Sequence, residues 1–249
     1  HLNTNGSFIT EEIACKLSEL LPSKLGIDIS LNNISENTFR EFTRSGRFSS
    51  VINAIKLLRE LGVRVRIHTV MTKQNVSEIT HLPEFLHELN VDTLHLLDFK
   101  PYLNAYKRKE LKLNTSEIRK VCEIILEKCK KYGIKASVDL PYNLGNDFVA
   151  EGFEVIGCYI QIATQLTILP NGDFAPCIFL PQFKLGNVKH TSLKDGYENL
   201  KKFSEFIFSH REKCSNCKFT KCKGGCLASA YYNNRCIFSA DPLCPFRLI

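Results

Sequence analysis

No run of about 18 apolar residues occurs anywhere in the sequence, and nothing at its start has the pattern of a signal peptide. A membrane span and a cleaved leader are therefore not expected. There is also no internal repeat and no low-complexity tract. No stripe joins Lys or Arg with stacking aromatics, and the longest basic run is only Lys107-Arg108-Lys109, which argues against a nucleic-acid groove. The net charge of +7, from 33 basic and 26 acidic residues, reads mainly as a solvated basic face. Steering of an anionic substrate is the weaker alternative. The chain does not open on methionine but on His1, inside what already reads as structured sequence.

What is present is a 249-residue chain, 44% hydrophobic, long enough for one large core or two smaller ones. Residues 1 to about 105 alternate extended segments with amphipathic helices. Thr10 suits a helix cap, with Ile13, Leu17, Leu20 and Leu21 as the apolar side and Pro22 as the stop. Leu25–Leu31, Val63–Met71 and Thr93–Phe99 alternate as strands, and helices are expected from Ser49-Ser50 to Gly62 and from Ser77 to Leu89. Strand–helix–strand repetition builds a parallel sheet, whose ligands sit at the carboxyl ends of the strands. The mouth of a site is then expected at Thr4-Asn5-Gly6, Ser30–Asn33, Lys73-Gln74-Asn75 and Asp98-Phe99-Lys100. Each of these, taken alone, also reads as an ordinary polar turn.

Residues 106–156 read as a bridge, with Thr115 capping a helix that Gly133 ends, a strand over Ile134–Leu140, and a turn-rich linker from Pro141 to Gly152. Cys122 and Cys129 lie on the apolar stripe of that helix and read as buried packing thiols, as does Cys15 beside the stripe of the first helix. From about residue 157 the character changes. A hairpin is expected around Asn171-Gly172, then a helix capped by Ser192, then a cysteine-rich tail with little regular structure.

That tail holds six cysteines within 31 residues: Cys214, Cys217, Cys222, Cys226, Cys236 and Cys244. Cys158 and Cys177 sit upstream. Disulfide frameworks belong mainly to small secreted domains, so crowding at one end of a mid-sized chain fits a reducing cytoplasm better. The C-x2-C-x4-C-x3-C spacing brings several sulfurs toward one point, and thiolates select zinc or iron–sulfur centres over hard cations. Zinc accounts comfortably for four ligands. Eight thiols divide into two four-sulfur sets, which favours a pair of iron–sulfur clusters.

The order Cys158, Gly172-x4-Cys177, Cys214-x2-Cys217-x4-Cys222-x3-Cys226 and Cys244, with Leu185-Gly-Asn-Val188 between, resembles the SPASM domain of radical S-adenosylmethionine (SAM) enzymes. The first hundred residues resemble the second half of that family's partial (β/α)6 barrel. Thr4-Asn5-Gly6 is similar to its third-strand ending, Ser30-Leu-Asn-Asn33 to its fourth, Arg44-Ser-Gly-Arg-Phe48 to its basic loop, and Thr69–Asn75 to its fifth-strand exit. The resemblance implies an α/β fold: a partial radical SAM barrel over 1–105, a bridge over 106–156 and a SPASM domain over 157–249.

It also implies chemistry. One auxiliary [4Fe–4S] cluster would use Cys214, Cys217, Cys222 and Cys244, and a second Cys158, Cys177 and Cys226. Cys236 either completes the second set or leaves one iron open. SAM, cleaved to a 5′-deoxyadenosyl radical at a further [4Fe–4S] cluster, would meet Ser30, Asn32, Thr4 and Asn5, with Arg44 as a partner for its carboxylate. Asn32 stands where the family usually has aspartate. No catalytic side chain is singled out. The expected substrate is a peptide or protein, with a small or porphyrin-like molecule as the alternative, and the expected electron donor is a ferredoxin or flavodoxin. The family's C-x3-C-x2-C loop is missing: Ser229 stands where a third cysteine would follow Cys222-x3-Cys226. Its simplest explanation is a chain that starts at the third strand. A zinc-stapled interaction module is the reading from another class.

Overall fold

The computed structural model describes residues 1–20, 26–44, 47–100, 102–140, 154–211, 214, 217, 222 and 224–244. The chain divides into two compact units: His1–Phe99 with Glu110–Asp139 and Phe148–Glu154, and Lys100–Lys109 with Leu140–Asp147 and Val155–Ile249. The stretch 106–156 is thus shared between them. The Pro141–Gly152 linker expectation and the stop at Pro22 lie outside the described residues.

The first unit runs β1 (Leu2–Thr4), α1 (Glu11–Leu20), β2 (Gly26–Ser30), α2 (Glu36–Thr43), α3 (Phe48–Glu60), β3 (Arg64–Met71), α4 (Val76–Ile79), α5 (Leu82–Glu88), β4 (Thr93–Asp98), α6 (Thr115–Tyr132) and β5 (Lys135–Asp139). Strands β1 to β5 pair in chain order and all in parallel. A short β6 (Glu154–Ile156) ends the sheet order. Along β3, Val65, Ile67, Thr69 and Met71 are buried while Arg64, Arg66, His68 and Val70 alternate with them. Helices α3 and α4 lie against β3, and the buried set shares the core with Val51, Ile55 and Leu58 of α3, Ile79 of α4 and Leu82 and Leu86 of α5. Each such side chain contributes about 1.5–3 kcal/mol by leaving water.

The helix borders follow local chemistry. Thr10 caps α1 by accepting from Ile13 N at 3.3 Å. The cap of α6 is Asn114 rather than Thr115, because the amide side chain accepts from Glu117 N while Glu117 reaches back to Asn114 N. The single helix expected over 77–89 is two, α4 and α5, broken at Thr80-His81 ahead of Pro83. Helix α1 buries Ala14 while Ile13 and Leu20 are exposed, so its core-facing side is rotated from the expected stripe. Cys15 is accordingly exposed, which corrects its reading as a packing thiol; Cys122 and Cys129 are buried as expected.

The second unit has a three-stranded antiparallel sheet, β7 (Thr167–Ile168), β8 (Asp173–Ala175) and β9 (Gly186–Asn187), then α7 (Leu193–Ser209) and α8 (Leu227–Asn234). Ser192 caps α7 through Asp195 N at 3.1 Å. Asp173 holds the hairpin, meeting Lys184 Nζ at 2.8 Å and Asn187 and Asn171 amides at 2.9 Å each. The Lys184 contact, then the amides, draw its carboxyl down to about 2. A small core of Ile160, Phe174, Leu180, Leu185, Leu200, Ile207, Leu227, Ala228 and Ile237 lies behind this sheet. Helix α8 corrects the expectation of a tail with little regular structure.

Candidate functional site: a sheet edge and a cysteine cradle

The carboxyl edge of the first unit's sheet is fastened by side-chain amides. Asn32 Oδ1 accepts from Val70 N at 2.8 Å, tying the exit of β2 to β3. Asn75, fully buried, donates to the carbonyls of Asn32 and Val70 at 2.8 and 2.9 Å and accepts from Thr72 N and Oγ1. Glu78 then receives Asn33 Nδ2, Ile34 N and Thr38 Oγ1. Burial raises the Glu78 pKa, but the hydrogen bonds from Asn33, Thr38 and Ile34 outweigh it, so the net shift is downward.

Four of the expected SAM contacts come together on this edge. Thr4 ends β1 and accepts from Gly6 N at 3.1 Å; Asn5 is exposed and holds Ser7 through two bonds, at 3.0 and 2.9 Å. Ser30 is exposed at the end of β2, beside Asn32. Arg44, exposed, caps the end of α2 in the left-handed region at φ 55°.

The face of the sheet opposite the helices carries polar residues that sequence reasoning passed over. Strand register aligns Ser30, His68, His95 and Ser137 as one lateral row, with Asn3, Asp28 and Arg66 in the row beneath. Arg66 clasps Asp28 with two bonds, at 3.0 and 2.8 Å, and His1 Nδ1 lies 3.0 Å from the same carboxylate. The His68 and His95 rings stand 4.8 Å apart, and His95 Nδ1 meets Ser137 Oγ at 2.7 Å. Burial, then the charges of His68 and Arg66, push His95 down to about 4, so it is neutral at pH 7; burial also lowers His68, against Asp28. The signal was available: polar residues recur at every second position of β2 and β3.

In the second unit the cysteines gather around one buried arginine. Arg211 is 1% exposed, donates to the Ser239 carbonyl and lies 5.4 Å from the Phe208 ring centroid. Burial lowers its pKa, opposed by Cys214, Cys158, Asp241 and Cys226. Cys214 interacts electrostatically with Cys222 and Cys217, and Cys158 with Cys177. Cys158 also accepts from the backbone N–H groups of Leu227, Gln161 and Ile160, and Cys226 from Ser229 N at 3.5 Å. Desolvation raises the thiols of Cys158 and Cys214 nonetheless.

Gly224 and Gly225 shape this cradle. Both are left-handed, at φ 97° and 75°. A Cβ on Gly224 would lie 2.9 Å from Cys214 Sγ and against the Arg211 guanidinium, and one on Gly225 only 2.6 Å from Asp241 Cβ. Asp241, fully buried, accepts from Cys226 N at 2.8 Å and its N–H donates to Gly224 O at 3.0 Å. Cys244 N donates to Asp241 O at 2.9 Å, and Cys236 is exposed. Among the described residues, no three His, Cys, Asp or Glu converge tightly enough to hold a single metal ion.

A buried guanidinium requires counter-charge, and Cys214, Cys158 and Cys226 lie in its field beside Asp241. Thiolates ligating an anionic cluster would compensate it, and the N–H groups aimed at sulfur suit the same state. The donor set therefore fits iron–sulfur ligation.

Comparison with known families agrees. Residues 1–86 match the radical SAM superfamily, and residues 158–223 match the SPASM iron–sulfur cluster-binding domain. The chain belongs to the radical SAM superfamily and carries a SPASM domain. Its domains imply iron–sulfur clusters and SAM binding.

An AdoMet-dependent heme synthase of Methanosarcina barkeri is 24% identical over 271 residues, spanning 99% of this chain and 74% of that protein. The mycofactocin maturase MftC of Mycolicibacterium smegmatis is 25% identical over 253 residues, 97% of this chain and 62% of its own. Crystalline Streptococcus suis SuiB bound to precursor peptide SuiA superposes with a TM-score of 0.70 at 19% identity, over 98% of this chain and 58% of that one. That superposition shows the same fold: a parallel-sheet partial barrel with a SPASM domain. The radical SAM relatives are enzymes. No helix among the described residues is long and apolar enough to cross a membrane.

Proposed function

We propose that this chain is the barrel-and-SPASM portion of a radical SAM enzyme with two auxiliary [4Fe–4S] clusters that modifies a peptide or protein. The observation that carries the cluster assignment is Arg211, a buried cation whose neighbours are cysteines. Cys214, Cys217, Cys222 and Cys244 would hold one cluster, and Cys158, Cys177 and Cys226 the other, with Cys236 as its fourth ligand. When bound, SAM with its own cluster supplies a 5′-deoxyadenosyl radical and the auxiliary clusters accept an electron.

This chain's residues bind and orient. Ser30 and Asn32, with Thr4 and Asn5, line the strand ends where SAM would sit, and Arg44 would meet its carboxylate. Asn32 is already engaged with Val70 N, so it reaches SAM through its free amide N–H rather than its carbonyl. The C-x3-C-x2-C loop is not in this chain and would come from outside it, as would a ferredoxin or flavodoxin donor.

The peptide reading draws on SuiB, whose structure holds a precursor peptide. A second reading, a porphyrin-like substrate, is favoured by the heme synthase likeness over 99% of the chain. Iron, sulfide and zinc assays on anaerobically purified protein test the assignment: about eight irons with matching sulfide are expected. Stoichiometric zinc in a colourless sample would instead support a zinc-stapled interaction module. Binding assays with precursor peptides against iron-coproporphyrin separate the substrate classes.

A further inference from the structure

On the polar face of the first unit's sheet, one imidazole is held at one nitrogen and left over at the other. His95 sits in β4, 6% exposed, and its Nδ1 meets Ser137 Oγ on the neighbouring strand at 2.7 Å. Its Nε2 makes no hydrogen bond among the described residues, yet the sealed polar atoms that lack a partner include His68 Nε2 and not His95 Nε2. His68 differs from it in direction. The two rings stand 4.8 Å apart, but His68 Nε2 lies 3.5 Å from the Asp28 carboxylate. His95 alone of the pair leaves a ring nitrogen accessible from a rigid strand.

A neutral imidazole whose second nitrogen is fixed by a hydrogen bond is the usual form of a metal-ligating histidine. Burial keeps His95 neutral at pH 7. A bare ion such as zinc asks for about four ligands, and among the described residues no three His, Cys, Asp or Glu converge on one point. An iron already held by the nitrogens of a macrocycle lacks only its axial ligand, which a single histidine supplies in many haem proteins. A cavity of about 220 Å³ beside Ser137 is lined by Arg64, Arg66 and Lys135, together with Asp92 and Glu154. It is smaller than the roughly 300–1,000 Å³ of a whole-ligand pocket and suits a carboxylate arm, which the cations would meet.

We infer that His95 Nε2 is the axial ligand to the iron of a carboxylate-bearing iron tetrapyrrole bound on this sheet face. The inference rests on the second of the two substrate readings above. Ligation forms one dative bond from Nε2 to iron, moves no electron, and leaves the imidazole proton on Nδ1 toward Ser137. Strand register sets Ser30, His68 and His95 on one row. His95 therefore lies two strand spacings, roughly 10 Å, from the proposed SAM contact Ser30.

The test titrates the cluster-loaded chain, without oxygen, with ferric iron-coproporphyrin III and with metal-free coproporphyrin III. Soret difference spectra and electron paramagnetic resonance of the ferric iron read ligation; the metal-free macrocycle reads binding without it. In the wild-type chain the iron macrocycle's Soret band should shift. His95→Gln and His95→Ala should weaken its binding by about tenfold or more and leave the metal-free macrocycle's binding unchanged. Free imidazole should restore the wild-type spectrum in His95→Ala, a rescue that a purely structural role does not give. His68→Gln should keep the wild-type spectrum. An unchanged spectrum in a folded His95→Gln variant would overturn the inference and leave the porphyrin reading standing. Equal loss of both macrocycles in the two His95 variants would also overturn it, making His95 a strut of the sheet. A wild-type chain that takes up precursor peptide and neither macrocycle overturns the inference together with the porphyrin reading.

Discussion

The two units solve the same problem, a polar site inside a folded protein, with opposite means. In the first, Asp28 and Asn75 are buried and Glu78 half-buried among partners that the chain itself supplies, above a core of Ile, Leu and Val. In the second, a smaller core stands beside a cradle whose central cation lies in the field of sulfurs as well as of Asp241. The first polar network is closed mostly by the protein itself, with Asn33 Oδ1 and His68 Nε2 the buried atoms left without a hydrogen bond; under the proposed function the second is completed by what the sulfurs bind. One unit is therefore expected to be stable without cofactor and the other not.

The contrast breaks first at the cysteines. Cys217→Ser should reduce bound iron from about eight to about four per chain. Limited proteolysis should then cut within 155–249 while His1–Phe99 stays intact; equal resistance of both regions would end the contrast. Next is Asp28→Asn, which leaves Arg66 facing a neutral partner on the sheet; the first unit should lose about 4 kcal/mol in urea unfolding. The bound iron should stay unchanged.

Asn75→Ala should follow at about 3 kcal/mol, since it strands the buried Thr72 N–H and loosens the Asn32 exit together. Hydrogen exchange at Val70 and Thr72 amides would report it locally. The last effect is a pH dependence, which reaches its full size only at low pH and is smaller than the others at about pH 5 to 6. His95 has a folded pKa of about 4 against an ordinary 6.5. Its contribution is therefore full above pH 6.5 and is lost as pH falls toward 4, by up to about 3 kcal/mol. His95→Gln should flatten that slope of unfolding free energy.

The parts of this organisation that were legible in the sequence are those with a local signature. Alternation in 63–71 marked β3, Asn171-Gly172 marked the hairpin, Ser192 marked the start of α7, and the cysteine spacing marked the cradle. What was hidden depends on register or on distance. Asp28 and Arg66 lie 38 residues apart and meet only because β2 and β3 pair in one particular alignment. Arg211 carries no local signature, because its burial depends on Gly224 lying against it from later in the chain. Helix α2 escaped notice because its polar sequence buries only Phe39. Cys15 was misassigned because helix α1 buries only Ala14 of its ten residues.

Helix α8 begins at a sulfur. Cys226 is its N-cap, and the first backbone N–H of the helix points at Cys158. An eight-residue helix is too short to form by itself in water. Its order thus depends on Leu227 and Ala228 settling into the small core and on a sulfur supplied from nearly seventy residues upstream, so this helix forms only as the second unit closes.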